Sequence, residues 1–93
     1  MVTKPFIERE CNGGIQKIFR FENGYGASVV QHYFSYGHEQ GLFELAVISF
    51  TSDSENSSWD LDYSTPITDD VIGHLSVSDY EDVLEQIKQL PKP

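Results

Sequence analysis

Asn23-Gly24 separates two stretches with the pattern of β-strands, and it constrains this chain more than any other feature. Upstream lies IQKIFRFE, Ile15 to Glu22; downstream lies YGASVVQH, from Tyr25. Both turn residues accept positive φ, which a type I′ hairpin turn requires. A two-residue loop of that type sets Glu22 against Tyr25, Phe21 against Gly26, Phe19 against Ser28 and Ile15 against His32. Cross-strand partners share a face. One face is then expected to carry Ile15, Lys17, Phe19, Phe21, Gly26, Ser28, Val30, His32 and Phe34, and to be the core face. The other carries Gln16, Ile18, Arg20, Tyr25, Ala27, Val29, Gln31 and Tyr33. Gly26 opposite Phe21 would let an aromatic ring lie over a strand glycine.

The rest of the chain extends this sheet and then closes it with a helix. Phe6-Ile7 reads as the start of an extended piece, and Cys11 to Gly14 as a turn. Leu42 to Phe50 (LFELAVISF) is apolar on both faces and suits a central strand. Residues 35–41, with Tyr36-Gly37 and Gly41 as turn residues, then link antiparallel neighbours. Thr51 to Ser58 is polar, lacks a period and reads as an exposed loop. WDLDY alternates, with Trp59, Leu61 and Tyr63 expected inward and Asp60 and Asp62 outward. Thr68 is expected to cap a short helical turn at Asp69 to Ile72 that Gly73 stops. Ser76 and Asp79 have capping-box spacing, Leu75 and Tyr80 that of a hydrophobic staple, and Ser78 with Glu81 is a competing cap. Tyr80, Val83, Leu84, Ile87 and Leu90 recur at helical spacing before Pro91. The expected fold is α+β: one domain over 1–93, an antiparallel meander of about four strands with a C-terminal amphipathic helix packed on one face.

Charge narrows the partners. Fifteen acidic residues stand against six basic ones, for a formal net charge of -9. Such a chain repels nucleic-acid backbones and anionic membranes, so direct nucleic-acid or membrane binding is not expected. Lys4, Arg9, Lys17, Arg20, Lys88 and Lys92 are scattered and form no basic stripe. The acids are asymmetric: residues 51–93 hold ten of them and two lysines, including Asp53 and Glu55 in the polar loop. MVTKPFIERE has no apolar signal core, and no apolar run approaches a membrane span, so a cytoplasmic protein is expected. Cys11 is the only cysteine, which leaves no intrachain disulfide and no cysteine-cluster metal site.

Chemistry has few candidates. QHYFSYGHEQG brings His32, His38 and Glu39 together in sequence, with His74 far away. The spacing matches no zinc finger or HExxH pattern, and a strand histidine next to a hairpin loop is the simpler reading. The pairs Asp60/Asp62 and Asp69/Asp70 lie on a strand's outer face and in a first helical turn, where solvation and capping explain them. GYG and NGG are too short to cradle a phosphate. No catalytic residue, cofactor or metal site is expected, and the chain reads as a binding protein and not as an enzyme. Two surfaces remain. Asp60, Asp62, Asp69, Asp70, Glu81 and Glu85 form an acidic set suited to a basic partner. Tyr25 and Tyr33, on the face away from the expected core, offer an interface through which a homodimer is expected.

NGYGASVV, FSYG followed by GLFELAV, and TPITDDVIGHL before the last helix carry a resemblance over roughly residues 8–90. The chain resembles a set of small acidic proteins encoded by tailed bacteriophages and prophages, a set with no assigned activity. It departs from that pattern at QHYFSYGHEQ. The resemblance implies a phage origin and, by association, a protein that works by contact in the host cytoplasm. The expected function is inhibition of a host enzyme or defence complex through the acidic surface, which imitates a nucleic acid. The alternative is a structural or self-assembling module using the sheet face around Tyr25, Tyr33 and Val29. A small metal-dependent hydrolase built on His32, His38 and Glu39 is a further alternative.

Overall fold

A computed structural model describes residues 4–33, 35, 37–52, 54, 57–68 and 70–91. Phe34, Tyr36, Asp53, Glu55, Asp69 and Lys92, all named above, lie outside the described residues. The strands are β1 (Ile7–Cys11), β2 (Gly14–Arg20), β3 (Tyr25–Gln31), β4 (Phe43–Phe50), β5 (Trp59–Leu61) and β6 (Ile72–Leu75), followed by α1 (Val77–Lys88). A single 3-10 turn, His38–Gln40, lies in the β3–β4 connection. The fold is α+β, with six strands in one antiparallel sheet where about four are expected. Strands β1 to β5 follow in sequence order. Short β6 pairs with the Phe43 end of β4 and short β5 with its Phe50 end.

The hairpin forms, but its register differs from the expected one by a residue. Phe19 pairs with Ala27, Ile18 with Ser28 and Arg20 with Gly26. Phe21 N–H donates to the Tyr25 carbonyl at 2.9 Å, so three residues, Glu22 to Gly24, form the loop. Gly24 takes φ 87°, and Asn23 is not among the residues with positive φ. This is a type I turn followed by a left-handed glycine, the second favoured hairpin loop, and not type I′. A shift of one residue turns every side chain of a strand to the other face. Tyr25, Ala27 and Val29 therefore share a face with Phe19, while Gly26, Ser28 and Val30 lie opposite.

Asn23 has a reason to decline the left-handed region. Its side-chain Nδ2 donates to the carbonyls of Ile87 and Leu90, each at 2.9 Å, and its Oδ1 accepts from Tyr25 N–H at 3.0 Å. The hairpin tip thus supplies a side-chain donor to carbonyls at and just past the C-terminus of α1. At the other end Ser76 and Asp79 form the expected capping box. The competing Ser78 cap is not used, since the helix starts at Val77.

The helix fills one face. Tyr80, Leu84 and Ile87 are buried against Phe19, Ala27, Val29, Leu45, Val47 and Leu75. Tyr25, Phe43, Ile67 and Ile72 close the edges of this core. Leu75 and Tyr80 both belong to it, as the staple spacing predicts.

The second face has no helix, yet Ile18 and Ile48 on it are 0% exposed. Coiling of the sheet explains this. Arg9 of β1 and Trp59 of β5 come within 5.9 Å across that face. A flat sheet would hold strands four places apart at about 19 Å. Phe6 meets Phe50 edge-on at 6.2 Å, and Phe50 meets Trp59 at 5.9 Å. The concave face is thus dried by its own edge strands and by the segment that enters β1. Gly26 makes room for it: a Cβ there would overlap the Phe19 carbonyl and stand 2.9 Å from the Phe50 ring. The ring over Gly26 is therefore Phe50, and its cross-strand neighbour is Arg20 and not Phe21.

Two expectations for residues 59–75 are corrected. Leu61 and Tyr63 do not face inward; they are 57% and 41% exposed, because β5 is an edge strand at the rim and ends at Leu61. No helical turn follows Thr68 among the described residues. Thr68 Oγ1 accepts from Asp70 N–H at 3.1 Å, and the chain then enters β6. Gly73 and His74 together oppose Glu44 in a β-bulge, with His74 at φ 57°.

Asn23→Ala is expected to lower stability by about 1–3 kcal/mol, since it removes the Asn23 donor from the Leu90 carbonyl and leaves the Ile87 carbonyl only backbone donors, Leu90 N–H among them. Urea unfolding with an unchanged slope checks this. Gly26→Ala is expected to cost about 1–3 kcal/mol through overpacking, read as a lower melting temperature.

Candidate functional site

The acidic candidates rise from three elements. Asp60 pairs with Ser49 and so lies on the helix side of the sheet, exposed, at the outer edge of β5. Asp62 follows just beyond β5 and is partly buried. Its Oδ1 accepts from both the N–H and the hydroxyl of Ser64. The Ser64 hydroxyl, then the Ser64 N–H and the Ser49 hydroxyl, hold the Asp62 carboxyl below the ordinary aspartate range, against a smaller opposing effect of burial. Asp70 is exposed in the crossing segment, where its Oδ1 accepts from Val71 N–H at 2.8 Å. Glu81 and Glu85 lie on α1 beside its buried stripe, Glu85 exposed and Glu81 half-buried. Asp69 lies outside the described residues. No group of three or more His, Cys, Asp or Glu among the described residues is arranged to hold a metal ion. The described acids are thus spread over β5 and its exit, the segment before β6, and α1.

Three of the basic side chains turn to rings and neutral groups. Lys17 Nζ lies 5.9 Å from the Phe43 ring and 6.0 Å from the Tyr80 ring, and reaches the Tyr80 hydroxyl at 3.5 Å. Arg20 stacks on Phe50 at 4.5 Å and donates to the carbonyls of Ser52 and Ser54 at 2.6 and 2.8 Å. Arg9 lies over Trp59 and donates from Nε to Gln16 at 2.8 Å. Each of these cations faces aromatic rings and neutral oxygens. Lys88 meets Glu85 at 3.9 Å on the helix surface, a pairing of little energetic weight.

The aromatic pair expected at an open sheet face divides. Tyr25 packs into the helix core, and Val29 beside it is fully buried. The one-residue register shift put both on the covered side. Tyr33 is 69% exposed, just past β3. Its ring lies on Gly13, and it meets His38 edge-on at 5.9 Å. No continuous Tyr25–Val29–Tyr33 surface exists for a self-assembling module or a homodimer.

The histidines also regroup. His38 and His74 line a hollow of about 340 Å³ with Tyr33, Ser35, Gly37, Glu39 and Gln40; His32 does not line it. Gly37 allows the approach, since a Cβ there would stand 3.1 Å from His74 Cα. His38 Nδ1 is 3.4 Å from the Ser35 carbonyl. His32 instead belongs to a tight turn in which Ser35 Oγ accepts from its N–H at 2.9 Å. A grouping of His32, His38 and Glu39 as ligands is thus replaced by a His38–His74 neighbourhood. Sequence distance hid it, and the bulge at His74 carries no sequence signature.

Among the described residues no helix is long and apolar enough to cross a membrane. Compared with protein-family models, with curated proteins and with solved structures, the chain matches none.

Ser64→Ala is expected to raise the Asp62 pKa toward the ordinary aspartate value, which an NMR pH titration reads directly. Because the folded value is depressed, the stability that Asp62 contributes is complete above the ordinary aspartate range. It is lost as pH falls through the folded value. Removing the Ser64 hydroxyl should shrink this acid-side loss and leave the pH dependence near neutrality unchanged.

Proposed function

We propose that this chain acts by protein–protein binding and not by catalysis, as a phage-type accessory protein that occupies a basic surface of a host protein and inhibits it. One observation carries the reading. The head groups of Arg9, Lys17 and Arg20 contact aromatic rings and neutral groups, and fifteen acids against six bases leave a large negative excess. Asp60, Asp70 and Glu85 are exposed on three different elements, and the net charge is -9. A dispersed, strongly negative field steers association with a basic groove and competes with the phosphate row of a nucleic acid for it. A broad acidic surface without a focused centre is what such contact needs, and it is poorly suited to acid–base chemistry, which requires opposed carboxylates in a cleft. Host cytoplasm is the compartment this reading places it in.

The test starts from a pull-down out of host lysate at low and moderate salt, with the retained protein identified by mass spectrometry. Its association kinetics are then measured with the wild-type chain and with Asp60→Lys, Asp70→Lys and Glu85→Lys combined. The association rate should fall at least tenfold at low salt, and the gap should narrow as salt rises. An unchanged rate, or a lysate that yields no partner at either salt, overturns the proposal.

A further inference from the structure

Arg9 is held in a way that its neighbours on β1 are not. Strand alternation sends Glu8 and Glu10 to the helix side, paired with Lys17 and Ile15, and Arg9 to the concave face, paired with Gln16. Its Nε donates to Gln16 Oε1 at 2.8 Å, and Gln16 Nε2 donates to Ser28 Oγ at 2.9 Å. The guanidinium carbon lies 5.9 Å from the centre of the Trp59 ring. A three-strand chain of hydrogen bonds thus fixes one edge of the guanidinium, and an aromatic ring from the far side of the sheet supports it. Among the described residues the two terminal nitrogens have no hydrogen-bond partner, and Arg9 is exposed. A guanidinium fixed at Nε presents its outer nitrogens as a fork that matches the two oxygens of one oxyanion.

The surroundings are apolar. Phe6 is 42% and Leu61 57% exposed. Leu61 shares the concave face with Trp59, and Phe6 reaches it through Phe50. Arginine, tryptophan and exposed large apolar side chains are the composition of an interface centre. We infer that this rim of the concave face is a second docking site. Its occupant is a peptide segment of a partner protein, in which an Asp or Glu carboxylate binds the Arg9 fork and an adjoining large apolar residue covers Leu61 and Phe6.

A peptide carboxylate fits better than a nucleic-acid backbone. A phosphate row needs several cations in succession. Arg20, the other arginine on this face, already donates from both terminal nitrogens to Ser52 and Ser54. One available fork in a chain of charge -9 holds one carboxylate, not a polyanion. The inference is independent of the acidic set: Asp60 shares β5 with Trp59 and Leu61 but lies on the helix side of the sheet, and Asp70 and Glu85 stand on other segments.

Trp59 is the only tryptophan, so its emission reports this site alone. The probes are acetylated, amidated octapeptides with a central Glu among randomised residues that include Leu and Phe, the same set with Gln, and an oligo-dT strand. Glu peptides carrying a neighbouring Leu or Phe should be retained at least tenfold better than their Gln counterparts, and should shift Trp59 emission on titration. Arg9→Lys keeps the charge but lacks the fork, and should weaken binding at least tenfold. Its far-UV circular dichroism should match the wild type, since Lys keeps the charge and an aliphatic stem beside Trp59. Absence of any peptide binding, equal binding of Glu and Gln peptides, or indifference to Arg9→Lys overturns the inference. Arg9-dependent binding of oligo-dT without peptide binding overturns it in favour of a phosphate site.

Discussion

One helix covers one face of a sheet, and this sheet is apolar on both. β4 buries Leu45 and Val47 toward the helix and Ile48 away from it, and β3 buries Ala27 and Val29 on one side and Val30 on the other. The unhelped face has to exclude water by bending. The strands coil until β1 and β5 meet through Arg9 and Trp59, and Phe6, Phe50 and Trp59 close the remaining gap. Gly26 is the point where the bend is permitted, because a ring occupies the space of its missing side chain. The bulge at Gly73–His74 and the short strands along the outer edge of β4 belong to the same solution, since bulges sharpen twist and terminate pairing.

The coiled face also decides the electrostatics. Arg9 and Arg20 project into a rim made of aromatic rings, and Lys17 does the same on the helix side. Long basic side chains bury their stems on apolar surface and keep only the head in water. These cations serve as covers for rings, and Arg20 as a donor to loop carbonyls. The arginine-bearing concave rim therefore arises from the same packing that dries this face.

Local chemistry was legible and long-range geometry was not. Ser76 and Asp79 interact over three residues, so their capping box could be read from spacing, and the same holds for the stripe of Tyr80, Leu84 and Ile87. The existence of a turn at Asn23-Gly24 was equally local. Its length was not, because Asn23 had a competing use: its amide reaches the helix end more than sixty residues away. That tertiary contact goes with an Asn23 backbone outside the positive-φ region and a three-residue loop. The register moved by one, and Tyr25 and Val29 passed from an expected open face to the core. The Thr68 segment failed for a related reason, since pairing with β4 outweighs a weak local preference for a helical turn.

The same division holds for the candidate sites. The sequence by itself determined the acidic excess, its concentration in the second half of the chain, and the elements on which Asp60 and Glu85 stand, because charge and periodicity are properties of neighbours along the chain. Only the tertiary structure decided that the cations face rings, that His74 joins His38 in place of His32, and that Arg9 is clasped between Gln16 and Trp59. Each depends on how far the sheet coils and on which face a strand presents. Those follow from the burial of two apolar faces by a single helix, a constraint that acts on the whole chain at once.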